Sequence, residues 1–173
     1  MQTPDGMVVI DALPLTDTAM AELPDVCAVI MTHGNHQRSV WRFRKELNVP
    51  VYAPSDVHDL DEEPDILIDE GSPLPGGLRA IRATGFSDAC YLVYTHEDGT
   101  RALFCGDLIC HYPGEAYRFP VEPSYFDPVA GQAEARRLLE LDLTVMCAAH
   151  AEPTLDGCQA ALEGAIKGVP LQN

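Results

Sequence analysis

At 173 residues the chain is long enough to bury one hydrophobic core without disulfide or metal staples, and is expected to form a single domain over residues 1–173. Its 46% hydrophobic and 22% charged residues are ordinary for a folded domain, and no apolar run approaches the ~20 residues that span a bilayer. A net charge of −16, from 27 acidic against 11 basic side chains, argues against nucleic acid and anionic membranes as partners.

The opening MQTPDGMVVIDALPL has no basic n-region and does not read as a signal peptide. The six cysteines lie mostly in apolar, strand-like runs and include no CxxC pair. They are expected to be small buried hydrophobes in a reducing cytoplasm.

In chain order, residues 7–11 (MVVID) read as a buried strand, and Thr16 can cap a short helix that Pro24 stops. Residues 26–31 form a second buried strand that runs into His33. From 35 to 47, Val40, Trp41, Phe43 and Leu47 share one helical face, with Arg38, Arg42, Arg44 and Lys45 off it. VPVYAP is the next strand, and SDVHDLDEEPD is expected to make a capped helical turn before an acidic loop. ILIDEGSPLPGGLRAIRAT gives two strands about a Pro/Gly turn. CYLVYTHEDGTRALFCGD is a hairpin across Glu97-Asp98-Gly99. After an irregular aromatic segment come a helix over 129–141, a strand over 144–148 and a helix over 155–166. The order βαβαβ, antiparallel strands, then αβα fits helix-covered sheets.

Polar residues with chemical potential gather where strands end: His33 after one strand, Asp107 after the hairpin, His150 after VMCAA. Two imidazoles and a carboxylate are a suitable N, N, O donor set for one divalent ion. Hydrogen-bonded structural histidines are the ordinary alternative. His58 and His96 read as solvent-facing. His111 either turns into the edge or packs on Tyr112 and Tyr117. His36 either reaches inward or caps its turn, and Glu152 is a candidate general base. There is no GxSxG elbow and no phosphate-binding glycine loop.

A strand into THGNHQR, a glycine turn before a hairpin, GD at the hairpin's end and a late strand into His150 together resemble the metallo-β-lactamase superfamily. The likeness runs from VVIDAL to the final helix. It implies an α/β (α+β) fold, a four-layer αββα sandwich of two mixed sheets with metals at one edge. The family usually has a further strand or two before this point, so the N-terminus looks trimmed. Against the family motif THxHxDH, His33 matches the first histidine, while Asn35, Gln37 and Arg38 stand at the next three ligand positions and His36 falls between them. Gly85-Phe86 replaces the family's central GH. Asp107 matches the bridging aspartate and His150 the last histidine.

The resemblance therefore implies an eroded two-metal site rather than a standard di-zinc hydrolase. Arg38 is expected to turn into the cleft and bond Asp107, replacing a metal. Two functions stay open. One is a metal-free binding or scaffold protein for a small molecule, in which CHYPGEAYRFPVEPSYFDP lines a pocket or a homodimer interface. The other is a hydrolase of esters, thioesters or phosphoesters. It would hold one divalent ion, Zn²⁺ first, on His33, Asp107 and His150 as the catalytic set, joined by His36 or His111.

Overall fold

The computed structural model describes residues 1–120 and 127–168. A five-stranded sheet holds β1 (Gln2–Thr3), β2 (Gly6–Ile10), β3 (Val26–Ile30), β4 (Val51–Pro54) and β5 (Ile66–Ile68) in that order. β1 pairs antiparallel with β2, and the other neighbours are parallel. A four-stranded sheet follows, of β6 (Arg79–Arg82), β7 (Cys90–Thr95), β8 (Arg101–Gly106) and β9 (Val145–Ala148). Its first two pairings are antiparallel and the last is parallel. Both sheets are mixed, as expected.

The helices cover the outer faces. Thr16 caps α1 (Asp17–Ala21) by accepting the Ala19 N–H at 3.2 Å, which satisfies one of the donors a helix start leaves open. Val40 and Phe43 of α2 (Val40–Leu47) pack with Met20 of α1 on Val29, Met31, Val51 and Ala53 of the first sheet. Asp127 caps α3 (Pro128–Leu139) through the N–H groups of Val129 and Ala130. Leu138 of α3, with Leu162 and Ala165 of α4 (Cys158–Lys167), packs on Tyr91, Val93, Leu103 and Met146 of the second sheet. Between the sheets, Val8, Ile30 and Ile68 meet Ala80, Cys90 and Leu92. The result is helix, sheet, sheet, helix.

Two local expectations are corrected. The helix foreseen over 35–47 is broken: a 3₁₀ turn, Gly34–Gln37, precedes α2, and Arg38 between them leaves helical geometry. Residues 55–65 form turns and bends with no helix. The Pro/Gly turn lies between two strands, as read, and carries the chain from β5 in one sheet to β6 in the other. The hairpin is as read, with His96 N–H on Thr100 O and Gly99 at positive φ.

All six cysteines carry free thiols. No helix among the described residues is long and apolar enough to cross a membrane.

Candidate functional site

Parallel pairing of β2 and β3, with Ile10 opposite Ile30, releases Asp11 and Thr32 at the same sheet edge. Thr32 donates its N–H to Asp11 Oδ1 (2.8 Å) and its hydroxyl to Asp11 Oδ2 (2.6 Å). The next residue, His33, caps the 3₁₀ turn by accepting the Asn35 N–H on Nδ1 at 3.0 Å. Its Nε2 lies 3.7 Å from Asp88. Tight 3₁₀ winding then turns His36 inward, 2% exposed, between two carboxylates. His36 Nδ1 is 3.1 Å from Asp11 Oδ2, and Nε2 is 3.1 Å from Asp107 Oδ2.

Asp107 reaches this point because β8 ends on Gly106, whose φ of 50° is left-handed. A Cβ there would stand 2.4 Å from Thr32 Oγ1 and 3.3 Å from His36 Cε1. Gly106→Ala is therefore expected to destabilise the fold by about 1–3 kcal/mol in urea unfolding, combining backbone strain with displacement of the Asp11–His36 contact. On the far side, His150 Nε2 lies 3.3 Å from Asp107 Oδ1. His150 itself has φ 72°, an uncommon conformation for a residue with a side chain.

The charges follow from these contacts. Burial alone would lower the His36 pKa, but hydrogen bonds with Asp107 and Asp11 outweigh it and raise it to about 9. His36 is thus an imidazolium at neutral pH. Its hydrogen bond holds the Asp107 carboxyl below the usual range, against the opposing effect of burial. His33 moves the other way: burial lowers its pKa more than Asp88 raises it.

Around Asp107 opens a cleft of about 460 Å³ that His33, Phe86, Tyr112, Arg118 and His150 help to line. His33, Asp107 and His150, far apart in sequence, thus share one cleft. Tyr112 stacks on His150 with ring centroids 5.1 Å apart, and the Arg118 guanidinium sits 5.5 Å from the Tyr112 ring. Phe86, where the family motif has a histidine, forms part of the apolar wall.

Arg38 does not do what its position suggested. It is exposed and makes neither a hydrogen bond nor an ion pair with Asp107, which feels only its more distant charge. The place at Asp107 is taken by His36, on the 3₁₀ turn, while Arg38 follows the turn with non-helical backbone and points to solvent. His111 packs on Tyr117 at 4.1 Å rather than entering the cleft, while Tyr112 goes to His150. Glu152 is exposed and does not line the cleft, and His58 and His96 are 60% and 51% exposed. Of the aromatic segment foreseen as a pocket or dimer surface, Cys110, Tyr112, Arg118 and Pro120 line the cleft; residues 121–126 lie outside those described. Sequence reasoning missed Asp11 and Asp88. An aspartate ending a buried strand beside the strand into His33 was the available signal for the first.

As arranged, the donor set is paired internally. Both ring nitrogens of His36 face carboxylates at 3.1 Å, and one of these is Asp107, the carboxylate expected to bind a metal. Among the described residues, no three His, Cys, Asp or Glu side chains are grouped to hold a metal.

No protein-family profile matches the sequence, and no curated protein does. Solved structures do. TTHA1623, crystallised in a di-iron-bound form, superposes with a TM-score of 0.71 at 22% identity, covering 92% of this chain and 89% of its own. An archaeal metallo-β-lactamase superfamily protein from Sulfolobus tokodaii gives 0.72 at 18%, over 96% and 77%. A metallo-β-lactamase from Pontibacter korlensis gives 0.70 at 14%, over 96% and 84%. With its helix-covered pair of mixed sheets and these superpositions, the chain has the metallo-β-lactamase fold.

Proposed function

We propose that this chain is a metal-free, small-molecule-binding protein built on the metallo-β-lactamase fold. The observation that carries this reading is the buried His36 ring, with its two nitrogens 3.1 Å from Asp11 and Asp107. It supplies, from within the chain, a positive charge at the carboxylate that the family resemblance assigns to metal binding. The cleft beside it has the volume and the mixed apolar and polar lining of a small-ligand site. Strained backbone at His150, which faces that cleft, is also the kind of feature that concentrates at working sites.

A one-metal hydrolase is the competing reading, favoured by His33, Asp107 and His150 lining the same cleft. It requires His36 to leave Asp107. Protein purified without chelators or metal-affinity resin is expected to contain substoichiometric metal. A site occupied at a hundred times its Kd would add ~2.7 kcal/mol of stability. Zinc titration followed by thermal unfolding is expected to show none of this. One tightly bound equivalent of zinc at Asp107 overturns the reading and restores the hydrolase.

A further inference from the structure

Glu134, on α3, is a buried carboxyl that the pairing around His36 does not use, and it is 2% exposed. Its Oε2 accepts the Thr84 hydroxyl at 3.0 Å, whereas Oε1 is buried and, among the described residues, has no hydrogen-bond partner. A buried carboxylate with one oxygen unpaired is costly, and a neutral carboxyl much less so. Burial accordingly raises the Glu134 pKa from the ordinary 4.5, against hydrogen bonds from Thr84 and Gly85 and the charge of Arg137.

Thr84 opens a turn over 84–88, between β6 and β7, whose backbone is pressed on α3. The Asp127 N–H donates to Gly85 O at 2.8 Å, and a Cβ on Gly85 would stand 2.6 Å from Gly131 Cα. The next residue, Phe86, is part of the cleft wall. A buried titratable group therefore lies one short turn away from the cleft. Other charged groups on the surrounding elements are engaged or exposed. On α3, Arg137 bonds Glu70 at 2.9 Å, Arg136 is exposed, and Asp127 caps the helix. Arg82 of β6 pairs with Asp56 at 2.6 Å, and Glu163 and Lys167 of α4 are exposed and pair with each other. From β7 comes the Tyr91 phenol, which burial holds well above its ordinary pKa. His33 sits beside Asp88, at the far end of the turn.

We infer that Glu134 is a positioning residue for the cleft: its neutral carboxyl fastens the 84–88 turn to α3 and so fixes Phe86 in the wall, and its ionisation loosens that wall. The wall responds in this way whether or not the cleft holds a metal. Because the pKa is raised in the fold, the contact is complete below pH 4.5 and is lost as pH rises through the folded value.

Amide hydrogen exchange of the full chain from pH 4.5 to 6.5, below the interval in which His36 titrates, tests this. In the parent, protection at Gly85 and Phe86, corrected for the intrinsic rate, is expected to fall about tenfold or more, the factor that one pKa unit carries. Glu134→Gln keeps an acceptor for Thr84 but cannot ionise, and its protection is expected to stay within about twofold over the same range. Phe86 ring resonances should follow the parent's profile and lose that component in the variant. His33 is present in both proteins, so the difference between them belongs to Glu134. Should Glu134→Gln not fold, Thr84→Val decides: it removes a bond that favours the carboxylate, and its fall in protection is expected to exceed the parent's. Protection in the parent that does not change with pH, an equal fall in parent and variant, or a change confined to the amides of α3 overturns the inference.

Discussion

His36→Ala is expected to cost about 3–5 kcal/mol in urea unfolding at pH 7, the range for removing one partner of a buried ion pair. The loss is large because the substitution takes away the positive charge that stands between two carboxylates. Asp11 keeps two hydrogen bonds from Thr32, and Asp107 keeps His150 at 3.3 Å, so neither is wholly stranded. That places the expectation toward the lower end. A surface pair would cost no more than ~1 kcal/mol, and the 2% exposure of His36 argues against that class. Adding Asp107→Asn to His36→Ala should recover part of the loss, because the unpaired charge is then gone. A cost below ~1 kcal/mol for His36→Ala would show that water already screens the clamp.

The same clamp makes stability depend on alkaline pH. The folded His36 pKa of about 9 stands above the ordinary 6.5, so its contribution is complete below pH 6.5. It declines as pH rises from 6.5 and is gone once pH passes about 9. The shift corresponds to about 3 kcal/mol in total. Groups facing the ring are Asp11, Asp107 and the Thr32 hydroxyl, with His33 at a centroid distance of 5.8 Å. Asp107, whose pKa is lowered, stays ionised across this interval, so His36 is the partner of that pair that titrates. Unfolding curves from pH 6 to 10 should fall in the parent and run flatter in His36→Gln. Parallel curves for the two proteins would place the alkaline loss elsewhere. Asp107, whose pKa is lowered, acts with the opposite sign: its contribution is present above the unfolded carboxylate value and is lost as pH falls through the folded one.

Much of the fold could be read from periodicity and turn chemistry. The hairpin over residues 90–106 needed only two apolar runs and Asp98-Gly99 between them, a local signal that the fold leaves unaltered. The apolar positions of α2 face the sheet as their spacing required. What escaped was nonlocal. Asp11 becomes a partner of His36 only through the parallel register of β2 on β3, which no short window contains. The inward turn of His36 rests on the four-residue 3₁₀ turn Gly34–Gln37, where the apolar spacing predicts continuous α-helix. Arg38 carried the right charge for Asp107 but the wrong direction. The resemblance located the cleft through His33, Asp107 and His150, and an unaligned neighbouring histidine fills the cationic role.

The free thiols have a consequence in the time domain. Cys90, Cys105, Cys110 and Cys158 are buried, and burial pushes each thiol pKa upward, most strongly at Cys90 and Cys105. Alkylation and oxidation run through the thiolate, so in the closed protein both reactions are doubly suppressed, by access and by protonation. Chemical damage at these sulfurs is therefore gated by transient opening of the layers around them rather than by the oxidant. Cys90 lies between the two sheets, and Cys105 and Cys158 lie between the second sheet and its helices. The two groups keep separate clocks, one set by parting of the sheets and the other by lifting of the outer helix layer.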